Sequence, residues 1–400
     1  MVVTNRGGLG AQTVEGIKII DVTGGTSAGT FTLKGDYSFE GSPAVVAGAF
    51  GYRLYQGGVS TPADGDWYLR SALLDAPNEP QAPLYQPGVP LYENYVATLQ
   101  TLNRLGTLQE RVGNRQWSGF TQGGVGMWGR IESTRYRPEA AFSTSGSDLD
   151  VNDWSLQAGF DKALLDTSAG TLIAGINGRY GKADAQVRSR FGNGSIDTSG
   201  YGVGATLTWY DSTGFYADAQ AQISWYRSDL KSSVLGALID DNHGSGEAFS
   251  LEAGKRASLG GSLSVTPQIQ MTYSNVRFDA FADPNDAMVS TDRADSLKTR
   301  WGISLDHQKV WGGASGTRSS HLYGIVNLNY EWLDGSVVDV SGTPIARRDE
   351  RLWSEVGLGG SYSWNDGKFT IYSEISANTA VNNFGDSNSL RGNAGFRMKF

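Results

Sequence analysis

Cysteine is absent from the 400 residues, which excludes a disulfide framework and any zinc or iron–sulfur site built on thiolates. A basic excess is absent too. Lys and Arg number 33 against 41 Asp and Glu, the formal net charge is -8, and no Lys/Arg run occurs. No nucleic-acid partner is expected from that balance. No stretch approaches the ~20 apolar residues that carry a helix across a bilayer. The histidines are few and scattered, His243, His307 and His321, none at metal-ligand spacing from another. Met1 to Ser27 lacks the charged start and apolar stretch of a secretory leader. Two readings follow, a cytoplasmic protein or a trimmed piece of a longer chain, and the remaining pattern favours the second.

Glycine is plentiful, 54 residues, and so are aromatics, with 11 Trp and 18 Tyr. Residues 1–75 carry short β-type runs (Ile17–Val22, Thr30–Leu33, Ala44–Tyr55, Trp67–Leu69) separated by glycine turns, as in the rungs of a β-solenoid or a small sandwich. Residues 76–90 hold Pro77, Pro80, Pro83, Pro87 and Pro90, the composition of an extended, semi-rigid linker. From 91 to about 113, Leu91, Tyr95, Leu99, Leu102 and Leu105 recur at helical spacing, with Asn103, Arg104, Gln109, Glu110 and Arg111 on polar faces and Gly113 as a stop. A surface helix on a soluble core would show the same pattern.

From Trp117 to Phe400 apolar residues fall on every second position. In Phe215–Tyr226, Phe215, Ala217, Ala219, Ala221, Ile223 and Trp225 form one face, opposite Tyr216, Asp218, Gln220, Gln222, Ser224 and Tyr226. Twelve such segments are predicted: 123–134, 150–163, 168–181, 198–211, 214–228, 246–258, 261–276, 294–310, 319–333, 348–364, 367–380 and 387–400. Short turns (211–214, 259–261, 365–367) alternate with long polar loops (136–149, 187–198, 230–244, 279–292, 334–348). Aromatics such as Trp154, Tyr180, Tyr201, Trp225, Tyr330, Trp332, Tyr362 and Trp364 sit at strand ends, where interfacial girdles would place them. A soluble sandwich or propeller also alternates, but these strands exceed the usual five or six residues. The expected fold is all-β, a 12-stranded antiparallel transmembrane β-barrel over 118–400.

Eight strands give a barrel filled by side chains and sixteen an aqueous channel. Twelve fall between, and an α-helix is ~10–12 Å across, so residues 91–117 are expected to fill the lumen. The pore-helix candidates are Leu99, Leu102, Asn103, Arg104, Glu110 and Arg111. The lumen-facing charges are Arg130, Glu132, Asp218, Glu252, Arg256, Lys298, Arg300, Glu355, Glu374 and Arg397; helix pairings with Glu132, Asp218, Glu252, Arg256 and Glu374 are conjectured.

Three stretches resemble the C-terminal translocator region of a monomeric autotransporter (type Va secretion) of the adhesin-like or pertactin-like kind. They are Thr4–Ile17 running on to Phe31-Thr32-Leu33, then Val46–Leu54 with Trp67–Ser71, and finally Pro83–Pro87 and Val89–Tyr92 leading to Val125–Arg130. The resemblance implies a β-helix-like autochaperone end of the passenger in 1–75, displayed at the surface of a Gram-negative outer membrane. It also implies export of the passenger through the barrel and partners that include outer-membrane lipid, the passenger itself, periplasmic chaperones and the barrel-assembly machinery. Phe396, Met398 and Phe400 look like the terminal signal that this machinery reads. Some family members cut themselves at paired asparagines in the helix; here Asn103 precedes Arg104 and Asn114 precedes Arg115, so that route is not expected.

No catalytic centre, metal or cofactor is expected. Gly244-Ser245-Gly246 and Gly260-Gly261-Ser262 read as turn glycines, and Asp148/Asp150 and Asp240/Asp241, like His243, as solvated loop residues. The leading reading is a monomeric, non-enzymatic device that exports and anchors its own passenger. The alternative is a passive outer-membrane porin with an N-terminal plug domain.

Overall fold

The computed structural model describes residues 1–5, 7–24, 29–73, 82–115, 124–313 and 316–400. Near the N-terminus, β1 (Ile17–Ile20), β2 (Tyr37–Phe39), β3 (Ser42–Ala47), β4 (Phe50–Gln56) and β5 (Trp67–Arg70) form one antiparallel sheet in the order β1-β5-β4-β3-β2. These strands pair edge to edge, each antiparallel to its neighbours. Ala44–Tyr55 is a hairpin, not one strand. It reverses at Gly48, whose φ of 56° suits glycine and where a Cβ would lie 1.8 Å from the Leu9 carbonyl oxygen. Thr30–Leu33 is not a strand. Of the linker, Pro77 and Pro80 lie outside the described residues, as does Trp117. Residues 82–86 fold back along the sheet, with Leu84 N–H on Ser71 O at 2.6 Å and Gln86 N–H on Ala49 O at 3.0 Å.

Two helices follow, α1 (Val89–Leu102) and α2 (Leu108–Val112). The strands after them are β6 (Val125–Arg137), β7 (Ala140–Ser143), β8 (Asp148–Thr167), β9 (Gly170–Arg188), β10 (Gly194–Asp211), β11 (Phe215–Ser232), β12 (Gly236–Lys255), β13 (Ala257–Gly260), β14 (Leu263–Phe278), β15 (Phe281–Ala282), β16 (Met288–Arg293), β17 (Asp295–Gly313), β18 (Gly316–Glu331), β19 (Ser336–Val340), β20 (Thr343–Asp349), β21 (Leu352–Trp364), β22 (Phe369–Ala380) and β23 (Asn388–Lys399). Twelve of them form the wall in the order β6-β8-β9-β10-β11-β12-β14-β17-β18-β21-β22-β23, each antiparallel to its neighbours, with β13 prolonging β12. β23 pairs back onto β6, from Asn388 opposite Arg137 to Lys399 opposite Gly126, and closes the barrel. All twelve expected segments lie on these strands.

The alternation has the expected physical cause. Along β11, Tyr216, Asp218, Gln220, Gln222, Ser224 and Tyr226 are buried inward, while Phe215, Ile223 and Trp225 are exposed outward. Outward faces elsewhere carry Ile131, Ile176, Val203, Leu251, Ile303, Val326, Val356 and Ile375, an apolar band suited to lipid. Rings cluster at both rims: Trp154 with Tyr180 and Tyr201 with Trp225 at one, and Trp311, Tyr362, Trp364, Phe369 and Phe396 in successive contact at the other. Part of the glycine excess is spent beneath inward-facing rings. Tyr372 lies across Gly395, where a Cβ would come 2.1 Å from the ring, and Tyr323 lies across Gly359 in the same way.

Two of the expected long loops are corrected. β9 and β10 run on until only 189–193 connects them, and β11 and β12 until only 233–235 does. Val187, Ile196, Leu230 and Leu238 continue the inward apolar face, while Asp197, Asp240 and His243 look outward into water, not lipid. Asp148, Asp150, Asp240, Asp241, Gly244 and Gly246 accordingly lie in strands, not in loops or turns. The other long connections fold into a third sheet, β15-β16-β19-β20-β7, over the same end of the barrel.

Candidate functional site: a segment threaded through the barrel

Residues 89–115 run down the lumen. α1 opens with Pro90 in its first turn, where the missing N–H costs nothing. It is buried nearly all round. Leu91, Tyr95, Val96, Leu99 and Leu102 share one apolar cluster with Leu149, Val151, Ala183, Ala185, Val187, Ile196, Leu230, Leu238, Val276 and Phe278 from the strand extensions. The ring of Tyr95 stacks on Phe278 at 4.4 Å.

The single helix expected over 91–113 is interrupted. Asn103 caps α1, with its N–H on Leu99 O at 3.2 Å. Its side-chain amide donates to Ser274 Oγ at 2.8 Å and Glu247 O at 2.9 Å and accepts from the Tyr226 hydroxyl at 2.9 Å. Thr107 then restarts the helix. Its hydroxyl accepts from Glu110 N at 3.1 Å, and the Glu110 carboxylate accepts from Thr107 N at 2.8 Å. This reciprocal capping box has a sequence signal, Thr107-x-x-Glu110, that the periodicity argument passed over. Gly113 ends α2 with φ 64°.

From Arg104 to Arg115 the thread is held by charge. Arg104 pairs with Glu132, and Arg111 Nη2 meets Asp218 Oδ1 at 2.5 Å, an oxygen that also accepts from Thr208. Arg115 pairs with Asp161. Glu110 accepts from Arg391 at 3.0 Å, and Glu252 accepts from Leu108 N at 3.0 Å and the Tyr216 hydroxyl at 2.7 Å. Backbone carbonyls are met as well: Arg104 O by Arg179 at 2.6 Å, Gly106 O by Gln220 at 2.9 Å, and Val112 O by Arg397 at 2.8 Å. Removing ions from water is costly unless each finds a partner, and these pairs lie in or beside a lumen that gives them one.

The conjectured partners are thus brought together at Glu132 and Asp218. Glu252 meets the thread through a backbone N–H. Glu374 instead accepts from Tyr323, and Arg256, half-exposed at the short-turn end, donates its own N–H to Gly214 O at 3.0 Å. Arg130 and Arg300 are bound to wall residues, Arg130 to Gln157 at 2.9 Å and Arg300 to Gln270 at 3.1 Å. Lys298 and Glu355 line a cavity of about 320 Å³ between the thread and the β17–β23 wall. Asp161, Arg115, Arg179 and Arg391 were missed. Inward parity was their signal on the strands, and Arg115 lies just beyond the helix stop. At the C-terminus Phe396 and Phe400 are exposed and Met398 partly so, all on the outer face.

The model of the autotransporter beta-domain matches residues 127–376, and that of the type 1 autochaperone domain matches residues 1–54. The adhesin BmaC autotransporter of Brucella suis is 49% identical over 417 residues, covering all of this chain and 12% of that protein. The autotransporter adhesin AIDA-I of Escherichia coli is 27% identical over 318 residues, 76% of this chain and 24% of the adhesin. The chain therefore spans a small part of these relatives. Among solved structures, the AIDA-I transport unit of Escherichia coli superposes with a TM-score of 0.64 at 19% identity, over 78% of this chain and 99% of that one. The BrkA beta domain of Bordetella gives 0.53 at 21%, over 69% and 100%. The chain belongs to the autotransporter family, as an outer-membrane translocator region joined to the end of its surface-displayed passenger.

Proposed function

We propose that this chain exports its own passenger through the barrel and then anchors it, plugged and uncut. Residues 1–75 act as the passenger's folding nucleus, 76–90 as linker, 91–117 as plug and 118–400 as translocator. The observation that carries the reading is the thread itself: a segment N-terminal to the barrel lies in the lumen of a closed wall and meets that wall at matched charges, Arg104 on Glu132 and Arg111 on Asp218. Leu99 and Leu102 fill the apolar sleeve; Asn103, Arg104, Glu110 and Arg111 fix the depth; and Glu252 and Arg397 hold backbone groups of α2. The bonds at Asn103 occupy its amide on both sides, in keeping with a passenger that stays attached. Phe396, Met398 and Phe400 serve as the assembly signal for the barrel-assembly machinery, with periplasmic chaperones delivering a monomer. The chain is not an enzyme. An epitope tag placed before Met1, in a chain given a signal peptide, should be removed by protease on intact Gram-negative cells while a barrel-sized fragment survives. A tag shielded until the outer membrane is opened would support the porin reading instead.

A further inference from the structure

Where the chain leaves the passenger sheet and enters α1, four separate outer connections of the barrel grip it. From the β15–β16 connection comes Asp283, a buried carboxylate 4% exposed. Its Oδ2 accepts from Gln86 Nε2 and from the Tyr92 hydroxyl, both at 2.8 Å. Its Oδ1 accepts from the N–H groups of Asn285 and Ala287 at 2.8 and 2.9 Å, which stiffens the connection around it. From the end of β7, Ser143 Oγ donates to Glu93 at 2.5 Å, Ser145 N–H at 2.8 Å, and the Ser145 hydroxyl also donates. Ser147 Oγ accepts from Asn94 Nδ2 at 2.7 Å, and Arg347 on β20 donates to Asn94 Oδ1 at 2.9 Å. From the β9–β10 tip, Phe191 stacks on Phe39 at 6.2 Å and meets Tyr85 edge-on at 5.5 Å.

Apart from Phe39 and Glu40, which Arg190 of the β9–β10 tip meets at 3.5 Å, every chain residue held in this way lies between 85 and 94. A helix pulled from its N-terminus unwinds there first, breaking one backbone bond at a time. Side chains of the first two turns tied to fixed loops load several bonds together. They also spread the load over β6–β8, β14–β17 and β18–β21, half the circumference of the wall. The charged ladder around Arg111 lies deeper and stays unloaded while the grip holds.

We propose that Asp283, Glu93 and Arg347 form a mechanical clamp that passes tension on the displayed passenger into the outer barrel wall, so that the lumenal plug bears none. The inference rests on the display reading. The test is single-molecule pulling on intact cells carrying the full chain with a handle before Met1. Unfolding of the passenger sheet should be followed by a separate, stronger event that releases residues 86–115, whose fully extended length is roughly 100 Å at ~3.4 Å per residue, less the span they already cover in the lumen. In the Asp283→Asn, Glu93→Gln chain that event should fall to the force of the sheet or merge with it. Tyr92→Phe, which removes one hydroxyl and keeps the ring, should lower it part of the way and serves where the double variant fails to assemble. Equal release forces in the unmodified and substituted chains would overturn the clamp. A handle unreachable on intact cells would overturn the display reading instead.

Discussion

The outer and inner halves of the thread are held by opposite physics. Below the residues gripped by the outer loops, α1 sits against an apolar sleeve made by strand extensions beyond the outer ring belt, with Gln100 and Thr101 facing the lumenal cavity, and contact area holds it there. The stretch from Arg104 to Arg115 sits among carboxylates, arginines and amides, and directional pairs hold it. Apolar contact tolerates sliding; a ladder of ion pairs does not. The sleeve therefore supplies most of the affinity and the ladder the register, and the two can be broken separately.

Asp218→Ala should have the largest effect. It strands Arg111, 1% exposed, without its partner, a change that costs about 3–5 kcal/mol at buried pairs. Single-channel conductance of the reconstituted chain should rise; an unchanged conductance would mean that the ladder does not seal the lumen. Leu99→Ala removes a side chain with no exposed surface from the sleeve and should cost about 2–5 kcal/mol. Hydrogen exchange should then rise in α1 and stay low in α2, and a rise in both would merge the two halves into one unit. Thr107→Ala deletes the cap of α2, about 1 kcal/mol, and should raise exchange only over 108–112.

The smallest effect lies outside the membrane. Thr61, Tyr68 and Asp66 N–H all donate to Asp64, and the Thr61 hydroxyl above all holds its carboxyl down at about 2. An unfolded Asp titrates near ~3.9, so the contribution of this turn is present above that value and fades as pH falls through about 2. Asp64→Asn should remove that acid dependence from unfolding of the N-terminal sheet.

The barrel was legible because lipid and lumen impose a period of two on every strand. Legibility failed where the outer environment changes from lipid to water. Beyond the ring belt, outward residues such as Asp197 and Asp240 turn polar, and strand reads as loop. The ladder was half legible: inward parity names Glu132, Asp218 and Glu374 as lumenal but cannot say which meets the thread, because Tyr323 claims Glu374 from the neighbouring wall. Glu93 with Ser145 and Tyr92 with Asp283 join residues far apart in sequence, with no local period to reveal them. The break at Asn103–Thr107 was visible only as Thr107-x-x-Glu110.

The seam between β6 and β23 has a consequence in time. The first wall strand, β6, gains its final partner only once β23, Asn388–Lys399, is in place. Until then two strand edges stand open, each a row of unsatisfied N–H and C=O groups ready to pair with any passing chain. Every wall strand between them must be in place before the seam closes, so the shelter this protein needs from its neighbours lasts until β23 meets β6.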